Sequence, residues 1–327
     1  MMFKKLMVKP LAEESLGVRS MCTYIETPDV KVLLDPGVAL APRRFGLPPH
    51  PLEYRALKEA RRLITEYARK ADVITISHYH FDHHTPSYVN WSSQWCSSET
   101  AKLTYENKIV LAKSFRSNIN ASQRRRGWMF SKTGGSYAKE VLYADGRVFQ
   151  FGGTTISFSE PVPHGPEGTE LGWLIMVSVE VDDERVLFAS DVQGPMSDHT
   201  ADLILKERPS LLIVGGPPLY LSGFRVPEKS IRQGLSNLER LVRVIPTTIL
   251  GHHLLRDLKW REWCSPVIKS ALEKGNSIIT ASEFIGLPTQ LLEARRRLLY
   301  DEEPPEDEFI KWTKLPYEKR KLTKPPI

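Results

Sequence analysis

The chain has 327 residues, 41% of them hydrophobic, with a formal net charge of +6 and three cysteines. That length suits one large α/β domain or two small ones, and no apolar run approaches the ~18 residues of a membrane-spanning helix. Cys22, Cys96 and Cys264 are far apart and form no C-x-x-C pair, which speaks against a disulfide framework or a thiolate site and for a reducing, cytoplasmic setting.

In chain order, the opening Met1-Met2-Phe3-Lys4-Lys5-Leu6 lacks the sustained apolar stretch of a signal peptide. Thr23-Tyr24-Ile25-Glu26-Thr27 and Val30-Lys31-Val32-Leu33-Leu34 flank Pro28-Asp29 and predict a hairpin that ends at the turn Asp35-Pro36-Gly37. Leu52, Tyr54, Leu57, Ala60, Leu63, Ile64 and Tyr67 have helical spacing, which predicts a helix to Lys70. A strand over Asp72 to Ile76 follows. Residues 85–145 are polar, with scattered tryptophans and a basic run, and read as an insertion. Strands are expected at Val148 to Phe151 and Thr154 to Ser159, then a hairpin of Gly172 to Val181 with Arg185 to Ala189. Helices and strands alternate thereafter: helices near Thr200 to Lys206, Lys229 to Arg243 and Thr289 to Tyr300, strands at Leu211 to Val214, Thr247 to Leu250 and Ser277 to Thr280. This order predicts an α/β (α+β) four-layer αββα sandwich, one domain over residues 1–300. Residues 301–327 form a charged, Pro-containing extension, docked in part through Phe309, Ile310 and Trp312.

Seven of the nine histidines fall in three short motifs, leaving out only His50 and His199. The densest is His78-Tyr79-His80-Phe81-Asp82-His83-His84, directly after the apolar run Val73-Ile74-Thr75-Ile76. Neutral imidazole and carboxylate without thiolate form the ligand set that zinc, iron and manganese accept. Four further polar sites also follow short apolar runs: Asp35, His164, Asp191 and His252-His253.

This ordered set, an Asp at a strand end, H-x-H-x-D-H, a His, an Asp and a final His, resembles the metallo-β-lactamase superfamily from about Thr23 to Thr280. The chain looks similar to an archaeal-type branch of predicted metal-dependent hydrolases within it. The resemblance implies two divalent ions, zinc first with iron or manganese as alternatives. His78, His80 and His164 would hold one and Asp82, His83 and His252 the other, with Asp191 bridging them. Asp82 and Asp35 are the implied catalytic carboxylates, Asp35 bracing the loop from behind the ligands. The family places its last ligand directly after a strand, which favours His252 over His253; His253 and His84 are then supporting groups or alternative ligands. The two-residue period lets His78 and His80 project to one side, and bridging anions offset the repulsion between two ions about 3.5–4 Å apart.

The implied activity is hydrolysis by a hydroxide bridging the two ions, and the motifs leave the substrate open. Arg124-Arg125-Arg126-Gly127-Trp128 interleaves charge with an aromatic face, which suits contacts to phosphates and bases. The expected substrate is therefore a small-molecule or nucleic-acid phosphoester, with no membrane partner. A lactone or ester hydrolase acting on a small metabolite and a non-catalytic metal-binding protein are the alternatives.

Overall fold

The computed structural model describes residues 3–327, so Met1 and Met2 of the opening segment lie outside the described residues. Six strands form the first sheet in sequential order: β1 (Met7–Pro10), β2 (Thr23–Glu26), β3 (Lys31–Leu34), β4 (Val73–Ile76), β5 (Ile109–Ala112) and β6 (Glu140–Tyr143). The hairpin β2–β3 is antiparallel, and from β3 onward every neighbour is parallel. Parallel neighbours require crossovers, supplied here by α1 (Pro51–Lys70), α2 (Ser98–Tyr105) and α3 (Ala121–Lys132). The central position of β4 explains why all four of its residues are buried and apolar or small.

The helix over 51–70 begins as its sequence demands. Pro51 occupies the first turn, and His50 and Glu53 exchange hydrogen bonds in a capping box. His50 is thus a structural cap, consistent with its place outside the histidine motifs.

The second sheet has seven strands. Two of them, β7 (Val148–Phe151) and β8 (Thr154–Phe158), precede the short ribbon of β9 (Val162–Pro163) and β10 (Trp173–Leu174). The others are β11 (Val177–Val181), β12 (Glu184–Ser190), β13 (Leu211–Gly215), β14 (Thr247–Gly251) and β15 (Ser277–Ile279), in the order β15-β14-β13-β12-β11-β8-β7. From β12 to β15 the strands are parallel. The connections are α4 (Asp198–Glu207), α5 (Glu228–Val242), then α6 (Trp260–Trp263) with α7 (Ser265–Leu272).

Three cores separate four layers. Ile25, Val32 and Leu34 of the first sheet meet Val177, Val179, Phe188 and Ile249 of the second. Tyr54, Leu57 and Ile64 of α1 cover the outside of the first sheet, and Ile231, Leu238 and Leu241 of α5 cover the outside of the second. The αββα sandwich follows directly.

Two segments differ from the sequence expectation. Residues 85–145, expected to be an insertion, contribute β5 and β6 to the first sheet and are built into it. A run as short as Ile109–Ala112 gives little strand signal amid polar neighbours. After α8 (Ala281–Phe284) and α9 (Leu292–Glu302), the C-terminal segment forms α10 (Asp307–Thr313) and α11 (Tyr317–Leu322). Phe309 and Trp312 are buried against Tyr54, with ring centroids 5.8 and 5.4 Å away, while Ile310 is half-buried. Among the described residues no helix is long and apolar enough to cross a membrane.

Candidate metal centre

Because β3 and β4 are parallel, as are β12 and β14 through β13, their carboxyl ends share one edge of each sheet. Polar side chains leaving those ends meet where open α/β sheets place their ligands. Asp35 follows β3, His78 follows β4, His164 follows β9, Asp191 follows β12 and His252 follows β14. The two sheets are tied together there: Ile175 N–H donates to Ser77 O at 3.1 Å, and the Ser77 and Ser190 hydroxyls lie 2.8 Å apart. Asp35, Ser190 and His252 all have left-handed backbones, with φ of 45°, 52° and 57°. Non-glycine residues held there cost about 1–3 kcal/mol each, and such residues cluster at functional sites.

The turn Asp35-Pro36-Gly37 passes directly under the histidine loop. A Cβ built on Gly37 would stand 2.3 Å from the backbone nitrogens of both His83 and His84. Gly37→Ala is therefore expected to push the loop outward, with a loss of about 1–3 kcal/mol typical of overpacking and weaker metal uptake. Thermal melts and metal analysis of the variant check this.

Ligand atoms converge in two groups. Nε2 of His78 lies 3.0 Å from Nδ1 of His80, which is 3.2 Å from Nε2 of His164. His83 Nε2 and His252 Nε2 are 3.4 Å apart, with Asp82 Oδ2 3.8 Å from the latter. Asp191 joins the groups, its Oδ2 lying 2.9 Å from His164 Nε2 and 3.1 Å from His252 Nε2. In each group the ligand atoms all lie within 4.8 Å of one another. His84 takes no part: its ring sits on the opposite face of the loop, where Nδ1–H donates to His80 O at 2.8 Å.

Protonation supports coordination. Burial, reinforced by the surrounding imidazoles, holds His78 and His80 well below the ordinary histidine pKa, leaving neutral rings with lone pairs. Burial works against an ionised Asp191, but His164, His253 and His252 overrule it and hold the carboxyl well below its usual range. Asp82 is likewise depressed, with His83, His252 and Arg256 outweighing burial.

The residues fit a metal centre on two observations. Asp191 Oδ1 is buried and has no hydrogen-bond partner, an expensive orphan for an ionised oxygen unless a cation meets it. His83 Nδ1–H donates to Asp35 Oδ2 at 2.8 Å and His252 Nδ1–H donates to Glu14 at 3.2 Å. Both Nε2 lone pairs would then face each other, an approach relieved by a metal ion between them or by a proton on His252. Burial opposes charging His252, yet Glu14 and Asp191 raise its pKa well above the ordinary value; a proton there stands where a metal ion would.

Groups behind the ligands fix their orientation. Asp35 is fully buried and accepts from Ser77 N–H at 2.7 Å, from Ser190 Oγ–H at 3.0 Å and from the Ser77 hydroxyl. The amide of Gln193 lies 3.1 Å from His164 Nδ1. Glu14 accepts from Arg256 Nε–H and Nη2–H at 2.9 and 2.7 Å. Glu13 accepts from the backbone N–H of His252 at 2.6 Å. Burial and the neighbouring Glu14 raise the Glu13 carboxyl to about 8. Ser77, Ser190, Gln193, Glu13, Glu14 and Arg256 are absent from the sequence expectation. No motif marks them, and Glu14 sits 238 positions from the ring it orients.

Arg256 lies against both adjacent histidines, its Nη2 3.3 Å from His252 Nδ1, whose proton goes to Glu14, and its Nη1 beside His253 Nδ1, which has no carboxylate partner among the described residues. That Nη1–H donates to His253 Nδ1 at 2.9 Å. A guanidinium can only donate, so the proton of His253 sits on Nε2, which lies 3.2 Å from Asp191 Oδ2. Burial and Arg256 lower the His253 pKa to about 3, keeping the ring neutral. His252 thus turns a lone pair to the cluster, and His253 turns an N–H.

The basic run does not act as one patch. On α3, Arg124 and Arg125 are exposed, while Arg126 folds back over Phe81, its guanidinium carbon 4.6 Å from the ring centroid. Helical spacing of 100° per residue separates three consecutive side chains. Gly127 lets α3 lie against the ligand loop, where a Cβ would meet the Tyr79 ring at 2.7 Å.

Residues 18–219 match the family model described as "Beta-lactamase superfamily domain". That span holds Asp35, the His78 to His84 loop, His164 and Asp191, and ends before His252. The UPF0282 protein of Methanopyrus kandleri is 44% identical over 296 residues, covering 90% of this chain and 99% of that protein. A UPF0282 protein of Pyrobaculum neutrophilum is 45% identical over 296 residues, covering 90% of this chain and 94% of its own. Among solved structures, the metallo-beta-lactamase fold protein YhfI from Bacillus subtilis is similar at 14% identity and a TM-score of 0.49, over 85% of this chain and 96% of that one. By the family match, the identity to its archaeal relatives and the αββα fold that carries these motifs, the chain belongs to the metallo-β-lactamase superfamily and, within it, to the UPF0282 proteins.

Proposed function

We propose that the protein is a hydrolase working through two divalent metal ions, zinc first with iron or manganese as alternatives, and that its substrates are phosphoesters. One observation carries the reading: two groups of ligand atoms meet at Asp191, whose Oδ2 touches both while its Oδ1 is buried without a partner. His78, His80 and His164 would hold one ion, Asp82, His83 and His252 the other, and Asp191 would contact both. Divalent ions so held supply a water that ionises near neutral pH and a Lewis acid for the oxygen that gains charge.

The chain's own residues do the positioning. Asp35 keeps the His83 proton on Nδ1, and Glu14 does the same for His252. His253 offers a neutral Nε2–H beside Asp191, with its side chain 15% exposed, so the donor stands where a substrate oxygen can take it. The preference for an anionic substrate rests on α3, which holds Arg126 against Phe81 of the ligand loop, exposes Arg124 and Arg125, and contains no acidic residue.

Turnover of generic phosphodiester, phosphomonoester, lactone and thioester substrates by purified, metal-assayed protein tests the reading. Phosphoester turnover is expected. Lactone or thioester turnover alone would replace the substrate class, and no turnover with two metal equivalents bound would leave a metal-binding protein.

Metal is also expected to stabilise the fold, because it binds the native chain only. Saturation a thousandfold above Kd is worth about 4 kcal/mol, so EDTA should lower the melting temperature by several degrees. An unchanged melt after verified metal loss would contradict this.

A further inference from the structure

The ligand loop has a second face. His80 and Asp82 point to the metal cluster, while Phe81 between them and His84 after them line a separate cavity of 390 Å³. That volume falls within the ~300–1,000 Å³ of small-molecule sites, which are mostly apolar with a few placed polar groups. Phe81, Tyr88, Met129 and Phe130 supply the apolar walls, and Arg125 and Arg126 also line the cavity. The Phe81 and Tyr88 rings meet edge to face at 5.8 Å, and His84 and Phe130 at 6.1 Å.

Two polar groups in this cavity keep hydrogen-bonding capacity beyond the bonds they make within the protein. His84 is 2% exposed and its Nδ1–H is committed to His80 O, so Nε2 carries a lone pair, which has no partner among the described residues. Arg126 is half-buried over Phe81, donates from Nη1 to Tyr79 O at 3.4 Å and forms no salt bridge among the described residues, which leaves its other N–H groups free for a ligand. The nearby carboxylate is Asp82, whose charge a bound metal would take up.

We propose that this cavity is the subsite for a flat aromatic ring on a phosphate-bearing substrate. The ring packs among Phe81, Tyr88 and Phe130, His84 Nε2 accepts a hydrogen bond from a ring N–H or O–H, and Arg126 meets the anionic group beside the ring. The ring chemistry stands on the cavity alone, whereas the phosphate rests on the hydrolase reading above. A nucleobase and a simple aryl group share this chemistry and differ in the donor that His84 would take.

Calorimetric titration of the metal-loaded protein with four probes tests the subsite: methyl phosphate, phenyl phosphate, adenosine 5′-monophosphate and adenosine. Both ring-bearing phosphates are expected to bind at least about tenfold tighter than methyl phosphate, the equivalent of burying one aromatic ring. Met129→Trp, at a position 44% exposed, should fill the cavity and remove that advantage while leaving methyl phosphate unchanged. His84→Leu should weaken adenosine and its monophosphate about fivefold, the worth of one hydrogen bond, and spare phenyl phosphate; if it weakens neither adenine probe, the donor pairing is overturned. Adenosine separates the two readings, because its binding does not need a phosphate site. Loss of adenosine binding in Met129→Trp supports the cavity even when no phosphate binds and no substrate turns over. Equal affinity for methyl and ring-bearing phosphates, a preference that survives Met129→Trp, or no binding by any ring-bearing probe overturns the subsite.

Discussion

Asp191→Asn is expected to empty the metal centre and reduce hydrolysis to background. The amide keeps the size of the carboxylate but presents only one oxygen and no charge, so it cannot neutralise two ions. Substitution of groups behind a metal ligand already costs about 10–100-fold in metal affinity or activity, and loss of the shared ligand should exceed that. The fold itself should survive, because Asp191 Oδ1 makes no hydrogen bond within the protein and Oδ2 meets only imidazoles of the cluster. Metal analysis beside circular dichroism is the check. Two retained equivalents of metal with normal turnover would remove Asp191 from the centre.

The second large effect separates two neighbours that are chemically identical. His252→Ala should lower bound metal from two equivalents toward one, because its Nε2 lone pair faces His83 and Asp191. His253→Ala should keep both equivalents and lower kcat by roughly 10²-fold, the cost of removing one preorganised donor, with KM little changed. The distinction rests on Nδ1, which in His252 donates to Glu14 and in His253 accepts from Arg256. The opposite pattern, metal loss in His253→Ala and retention in His252→Ala, would show that the rings exchange roles. Arg256 itself forms a fully buried ion pair with Glu14, and breaking such a pair costs about 3–5 kcal/mol, so its substitution would mix stability with chemistry.

These contrasts show which parts of the site the sequence carried. Asp35, His78, His164, Asp191 and His252 each directly follow a short apolar strand or stand two residues beyond one, and strand ends can be read from local apolar runs. What could not be read is whatever depends on distant partners. Glu13 and Glu14 belong to a short 3-10 turn after β1 with no periodicity, yet they hold His252 by its backbone and its ring. The contrast between His252 and His253 depends on Glu14, 238 positions from His252, and on Arg256, which no motif marks. The αββα layering followed from alternating helices and strands. The place of β5 and β6 in the first sheet did not, because four-residue strands among polar neighbours look like loop. Similarly, three consecutive arginines read as one basic patch, and the helix turned one of them onto Phe81.

The central claim is that one cluster holds two ions around Asp191. Anomalous diffraction from crystals grown with zinc or manganese tests it most directly. Two peaks about 3.5–4 Å apart are expected, one among His78, His80 and His164, the other among Asp82, His83 and His252, with Asp191 between them. A single peak at full occupancy, or no peak at these residues in metal-saturated crystals, would contradict the account.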